Sequence, residues 1–291
     1  VSSILDQQNT DITLYINIDK SEDGTEEYIG ELADKNKNIK VLAIGKKFKS
    51  ASKNFYHLIK NIDFKNYDFI GLADQDDIWD KKKIISAIEK LNFTESDGYS
   101  SNVTAFWGNK KTIKINKSQK QKKYDYYFES PGPGCTFLMR NKLVVAIQKF
   151  ILSNEILVND FQHHDWFLYA YARKNGFKWC IDKRSFMLYR QHESNELGVN
   201  IGLKAFLKRL KQVFSGEAVR KHLQLSQMLD FKTFKISNSQ KISRSESLNF
   251  FFNAELFRRK KSDQIYFRFY WFFALIFGLN EKKLNLNILF F

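Results

Sequence analysis

Proline is nearly absent from the 291 residues: only Pro131 and Pro133 occur. Both lie in Pro131-Gly132-Pro133-Gly134, which marks one tight, irregular turn. Cysteine is as scarce, with Cys135 and Cys180 each beside apolar or aromatic neighbours. Their spacing builds no metal cluster, and buried free thiols in a reducing compartment are expected. No run approaches the ~18 uninterrupted apolar residues of a membrane span. The opening Val1-Ser2-Ser3-Ile4-Leu5-Asp6 lacks the basic-then-apolar pattern of a signal peptide. The cytoplasm is the expected location. What remains, 43% hydrophobic and 27% charged residues, describes a folded globular chain.

Negative charge is the other shortage, with 47 Lys and Arg against 32 Asp and Glu. The excess is uneven. From Ile201 onward there are 17 basic and 6 acidic residues, so 11 of the net +15 lie there and residues 1–200 are nearly balanced. The pattern in this tail is helical throughout. Leu203, Phe206, Leu207, Leu210 and Phe214 form an apolar stripe among Lys204, Lys208, Arg209 and Lys211. Leu248, Phe251, Phe252, Glu255 and Arg259 fall along a second helix. Ile265 to Leu279 is almost wholly apolar, but too short to cross a bilayer. Each Lys or Arg near an anionic leaflet contributes about 1 kcal/mol, so peripheral contact with the inner face of the plasma membrane is expected. Helices packed on the rest of the chain with a solvated basic face are the alternative. Nucleic acid is not expected, because clustered acids repel phosphate and the first two hundred residues carry no interleaved aromatic and basic motif.

Before that tail, strand and helix patterns alternate. Ile12–Ile18, Ile39–Ile44 and Tyr67–Ala73 read as strands. Helical spacing follows each: the segment after Thr25, Phe48 to Ile62, and Ile84 to Leu91. Gly98–Trp107, Phe177–Ile181 and Phe186–Tyr189 are strand-like, Lys110–Lys123 reads as a basic loop, and Phe161–Asn175 reads as a helix closed by Gly176. Such alternation predicts a mixed, mostly parallel sheet with helices on both faces, ending near residue 200. Residues 201–291 form the all-helical extension.

Four constellations carry chemistry. Asp74, Asp76 and Asp77 follow an apolar strand, where ligands bind in open α/β sheets. Like charges this close raise one another's pKa unless a cation such as Mg²⁺ or Mn²⁺ neutralises them. A polar loop with Asp80 capping the next helix reads the same residues more plainly. Asp19, with Ser21 and Asp23, ends the first strand and is placed to accept hydrogen bonds from a base or ribose, or to make an ordinary Asx turn. In His163-His164-Asp165-Trp166, Asp165 beside aromatic groups suits a general base, or a helix cap with solvated histidines. Past the last strand, Arg190 offers a fork for phosphate oxygens and His192 a ligand for Mn²⁺, unless the loop holds only a salt bridge.

Together these motifs resemble the family 2 glycosyltransferases, most closely their bacterial rhamnosyltransferase-like branch. The resemblance rests on Ala73-Asp74-Gln75-Asp76-Asp77-Ile78-Trp79, on His164-Asp165-Trp166, on Leu188-Tyr189-Arg190-Gln191-His192 and on the turn Asp19 to Thr25. Asn54-Phe55 and Gly134-Cys135-Thr136 also match in place. It implies a GT-A-like, Rossmann-like fold over residues 1–200 and inverting transfer of a sugar from a nucleoside diphosphate. The acceptor would be a glycan or lipid-linked glycan. By the same resemblance Asp76 and His192 hold Mg²⁺ or Mn²⁺, and Asp19, Asp74, Asp77 and Arg190 bind the donor. Asp165 is the base, and Gly134, Cys135 and Trp166 lie toward the acceptor. The family's first strand and its donor-contacting turn are expected before Val1, and Ile18 stands where the family often has an acid. A relative that has lost donor binding and only recognises a glycan or partner is the other reading.

Overall fold

A computed structural model of the chain describes residues 1–43, 47–108, 111–192, 217–231 and 243–277. They fall into two compact units. The first contains Val1–Ser118 and Ser130–His192, and the second Gln119–Glu129 with Glu193–Phe291.

The first unit opens with α1 (Ser2–Leu5), β1 (Leu14–Asn17), α2 (Thr25–Lys35) and β2 (Ile39–Ala43). β1 and β2 pair in parallel across the crossover helix. Then come α3 (Ala51–Asn61), β3 (Phe69–Gly71), β4 (Ile78–Trp79) and α4 (Lys83–Phe93). β5 (Gly98–Ser101), β6 (Val103–Phe106), β7 (Thr112–Ile115) and β8 (Leu138–Arg140) follow, then α5 (Asn141–Ser153), α6 (Glu155–Asp160), α7 (His164–Lys174), β9 (Trp179–Asp182) and β10 (Met187–Arg190). One four-stranded sheet runs β4-β10-β6-β7 and another β3-β8-β5-β9. β6 with β10 and β5 with β9 are parallel pairs, while the short strands β3, β4, β7 and β8 add antiparallel neighbours.

Burial explains the layering. All four residues of β5 are buried between β8 and β9. α7 buries Phe167 through Ala172 without a break, as a helix covered on every side must. Gly176 closes it, in line with the sequence expectation. With φ +80, that glycine lets Phe177 N–H reach Ala172 O (2.9 Å) and its own N–H reach Arg173 O (3.4 Å). Ile84, Ala87 and Leu91 of α4 pack with Trp79, Tyr99, Val103, Cys135 and Leu138 in the core.

Two sequence expectations change in this first unit. Gly98–Trp107 is not one strand. It switches sheets at Asn102, whose side chain accepts from Lys117 N–H (2.6 Å) and Ser118 N–H (3.0 Å) and donates to Lys183 O (2.8 Å). Within the basic stretch that reads as a loop, Thr112–Ile115 forms β7 against β6. Two isoleucines alternating with Thr112 and Lys114 are too short a pattern to outweigh the surrounding lysines.

The second unit contains α8 (Glu217–Leu229), α9 (Arg244–Phe252), α10 (Ala254–Phe257) and α11 (Lys261–Phe277), with a 3-10 turn at Asp125–Tyr127. The expected helix through Leu248 and Arg259 breaks at Asn253. α9 starts with a capping box, Ser243 Oγ accepting from Glu246 N–H (3.2 Å) and Glu246 accepting from Ser243 N–H (2.8 Å). Rings of Phe128, His222, Phe250, Phe257, Phe267 and Trp271 make its core. The stripe Leu203–Phe214 lies outside the described residues.

Candidate active site

Strand register brings the acids to their partners. β4 pairs antiparallel with β10, Trp79 opposite Met187 and Ile78 opposite Leu188. The chain just before β4 therefore meets the chain at the end of β10. Arg190 N–H donates to Asp77 Oδ1 (3.1 Å), and Arg190 Nε donates to the Asp76 carbonyl (2.9 Å). The guanidinium also lies 4.7 Å from the centre of the Phe106 ring. Two residues on, His192 Nε2 is 2.9 Å from Asp76 Oδ2. Residues 76 and 192, paired on paper only by motif, are side by side.

Asp74, Asp77 and Cys135 form a tighter group, each with one ligand atom within 4.8 Å of the others. Asp77 is 7% exposed and Cys135 wholly buried. Burial pushes Asp74 up to about 7, with the charges of Asp77 and Asp76 adding to it. Burial likewise raises Asp77 to about 6, against the pull of the Cys135 thiol and Arg190 N–H. The same burial and the two acids push the Cys135 thiol up. Cys135 thus faces the acids from inside the core.

Lys83 completes this group, and the sequence reading did not single it out. It is 4% exposed, with Nζ 3.4 Å from the centre of the Trp79 ring. Burial lowers its pKa to about 8, opposed by Cys135, Asp77 and Asp74. The run Lys81-Lys82-Lys83 looks like a solvated helix start. Yet Lys83, Ala87 and Leu91 recur every fourth residue on the buried stripe of α4, and that spacing was the signal.

A divalent cation fits what is present. Asp77 Oδ2 is buried and has no hydrogen-bond partner among the described residues. Lys83 and Arg190 together do not match three carboxylates, and a set of carboxylate oxygens with a nearby imidazole suits a hard or borderline cation.

The second arm is the start of α7. His164 N–H donates to Ser52 Oγ (3.1 Å), and His164 Nδ1 is 3.2 Å from the same hydroxyl. The ring rests on Phe55, with centroids 4.4 Å apart. Its other edge lies against Gly134, where a Cβ would come within 2.5 Å of Nε2. Because Cys135 follows Gly134 and faces the acids, only two residues separate the α7 start from the acid cluster. Asp165, in the first turn, accepts from Trp166 N–H (2.8 Å). Its charge contributes to the raised pKa of Asp74 and of the buried Tyr56 hydroxyl. The Trp166 ring packs on Phe161, 5.7 Å between centroids.

Asp19 is engaged differently. Its two oxygens accept from Phe48 N–H and from Lys49 N–H, the latter at 2.8 Å, and so close the loop before α3. Asp23 makes the plainer Asx turn: it accepts from Thr25 N–H (3.0 Å) at the start of α2, and hydrogen bonds from Ser21 and Thr25 hold it down to about 2. Asn54 links to β1 by donating to Asn17 O (3.3 Å) while accepting from Asn17 Nδ2 (3.1 Å). Asp80 makes another Asx turn before α4, accepting from Lys82 N–H at 2.8 Å.

Comparison with known proteins adds three findings. The family model described as "Glycosyl transferase family 2" matches residues 1–154. The "dTDP-rhamnosyl transferase RfbG" of Shigella flexneri is 39% identical over 267 residues, which is 91% of this chain and 92% of the relative. Among solved structures, the crystal structure of S. aureus TarS 1–349 in complex with UDP matches with a TM-score of 0.50 and 16% identity, over 94% of this chain and 83% of that one. At that identity the likeness is one of fold.

Proposed function

Because the chain belongs to glycosyl transferase family 2, and is a glycosyltransferase of GT-A-like α/β fold, we propose that its first unit transfers rhamnose from a nucleoside diphosphate. The receiving group is a hydroxyl of a glycan or lipid-linked glycan in cell-surface polysaccharide synthesis. The relative's name supports the sugar, and the UDP bound by the TarS structure supports the donor class. A lipid-linked acceptor would place the chain at the inner face of the membrane.

The observation that carries this reading is the β4–β10 register, which sets Arg190 and His192 against Asp76 and Asp77. Asp76 and His192 are the residues to hold Mg²⁺ or Mn²⁺, with Asp77 beside them. When bound, such a cation offsets the charge that grows on the departing diphosphate. Arg190, fixed through its Nε, adds a second positive charge there. Asp74 binds the donor from the buried side of the cluster. Asp19 acts indirectly, by fixing the Phe48–Lys49 backbone. Asp165 takes the proton from the acceptor hydroxyl as the sugar's anomeric carbon is attacked from the face opposite the leaving group, which inverts its configuration. Gly134, Cys135 and Trp166 support that side.

The test is release of dTDP from dTDP-rhamnose with Mn²⁺, with Mg²⁺ and with a chelator. The reading expects turnover that the chelator abolishes and that Asp76→Ala lowers at least a hundredfold. Turnover indifferent to both would overturn it.

A further inference from the structure

Strand β4 has two residues, too few to hold a register by its own ladder, and it lies at the end of its sheet. β10 pairs with one side of it, and Asp80 N–H just past it reaches Phe186 O (2.8 Å). On its other side the described partners are side chains of α1 and the residues after it. Ser3 Oγ accepts from Trp79 N–H (3.1 Å). Gln7, 8% exposed, donates through Nε2 to Asp80 O (2.8 Å) and Ser3 O (3.0 Å). Its Oε1 accepts from Ile84 N–H (3.0 Å). Gln8 N–H adds a bond to Lys81 O (2.9 Å), and Ile4 packs with Trp79 and Ile84 in the core. α4 needs this help. The first N–H groups of a helix have no partner within it, and Lys82 at its N-cap gives no side-chain bond. Gln7 supplies one from 77 positions earlier in the chain.

From these bonds we infer that Gln7 and Ser3 are positioning residues: they fix the segment from Ile78 to Ile84 and so hold Asp76 and Asp77 against Arg190 and His192. The bearing of this grip on turnover rests on the proposed chemistry; the grip itself does not. Asp77 stands two residues before Trp79 and Asp76 three. A sideways movement of β4 therefore carries both carboxylates with it, while Arg190 and His192 stay with β10. The contacts of Arg190 N–H with Asp77 (3.1 Å) and of His192 with Asp76 (2.9 Å) leave little room for such movement. A misplacement of about 1 Å at a reacting group can cost on the order of a hundredfold in rate. Leucine at position 7 fills similar space but neither donates nor accepts. It leaves Ile84 N–H without this acceptor and Asp80 O without this donor.

The test is amide hydrogen exchange of the unliganded full chain, with Mn²⁺ titrations of dTDP release from dTDP-rhamnose alongside. In Gln7→Leu, exchange at Trp79 and Ile84 should quicken at least tenfold, and at Arg190, whose N–H is held by Asp77, at least threefold. Amides within α5 and α7 should change less than twofold. The half-saturating Mn²⁺ concentration should rise at least fivefold, with a smaller fall in kcat once Mn²⁺ saturates. Should Gln7→Leu fail to fold, Ser3→Ala serves instead, with exchange at Trp79 and Arg190 at least threefold faster. Gln8→Ala keeps its backbone bond to Lys81 and should match the wild type throughout. Unchanged exchange at Trp79 and Ile84 would overturn the inference. So would a lower melting temperature with exchange at Arg190 and the Mn²⁺ requirement both unmoved, the mark of a merely structural residue. A wild type without turnover would count against the proposed chemistry, and exchange at Arg190 would still decide the role of Gln7.

Discussion

At Gly134 an added methyl group would lie 2.5 Å from His164 Nε2, closer than side chains approach. Gly134→Ala must therefore push His164 off Ser52 and Phe55 and move Asp165 with it. A loss of about 1–3 kcal/mol in stability is expected from such overpacking, with at least a tenfold fall in turnover. Gly30→Ala is the control. It lies within α2 with open space around the added carbon, and should gain roughly 0.5–1 kcal/mol with activity intact. Thermal melts and donor-release rates read both. Lys83 poses a separate question. Its positive charge lowers the pKa of Asp77 while burial raises it. In Lys83→Met the carboxylate form is less favoured, so a proton is held to higher pH and the acid limb of the pH–rate profile moves upward. A profile that does not move would show that the lysine only fills space beside Trp79.

Elements of the second unit are held by buried groups whose protonation matters. His222 in α8 stacks on Phe128, centroids 4.1 Å apart, and its Nδ1 lies 3.0 Å from Tyr127 O, the donor in a neutral ring. Burial lowers its pKa to about 4 from the ordinary 6.5. Between these values the unfolded chain binds a proton that the folded chain does not, so stability falls as pH drops from 6.5 toward 4. The loss from this ring alone is roughly 3 kcal/mol. Urea titrations at about pH 7.5 and about pH 4.5 should show it, and His222→Phe should narrow the gap between them. Arg259, just after α10, is nearly sealed from solvent, 3.6 Å from Asp125 and 3.5 Å from Glu129. Arg259→Met leaves the wholly buried Asp125 without that cation, a change that costs about 3–5 kcal/mol when a buried pair is broken. Here the tail helices are joined to residues 119–129, far earlier in the chain.

That join explains why the molecule was only partly legible in its sequence. Hydrophobic spacing located α3 and α4, because each buries one apolar face and the period shows it, whereas α7, buried all round, was marked by the glycine that closes it. The motif residues around Asp76 and Arg190 could be ranked together by their order. Their actual meeting depends on strand register, as in the two-residue β4, which no periodicity reveals. Lys83 was hidden because a charged residue on a buried stripe contradicts the pattern that finds the stripe. Residues 119–129 were hidden for another reason. Their basic beginning reads as a loop, while Tyr124, Tyr126, Tyr127 and Phe128 pack on rings from α8 to α11 and its flanks. Tyr124 N–H donates to Leu256 O at 2.9 Å, and Arg258 donates to Phe128 O at 2.8 Å. A cut after His192 thus removes the partners of four aromatic rings while leaving the rings in place. The truncated chain should bind hydrophobic dyes and aggregate, since that many aromatic side chains exposed together make a sticky patch. Replacing residues 119–129 with a short Gly-Ser linker in the same truncation should restore solubility. If the simple truncation is soluble and dye-silent, the aromatic segment does not belong to the helical unit.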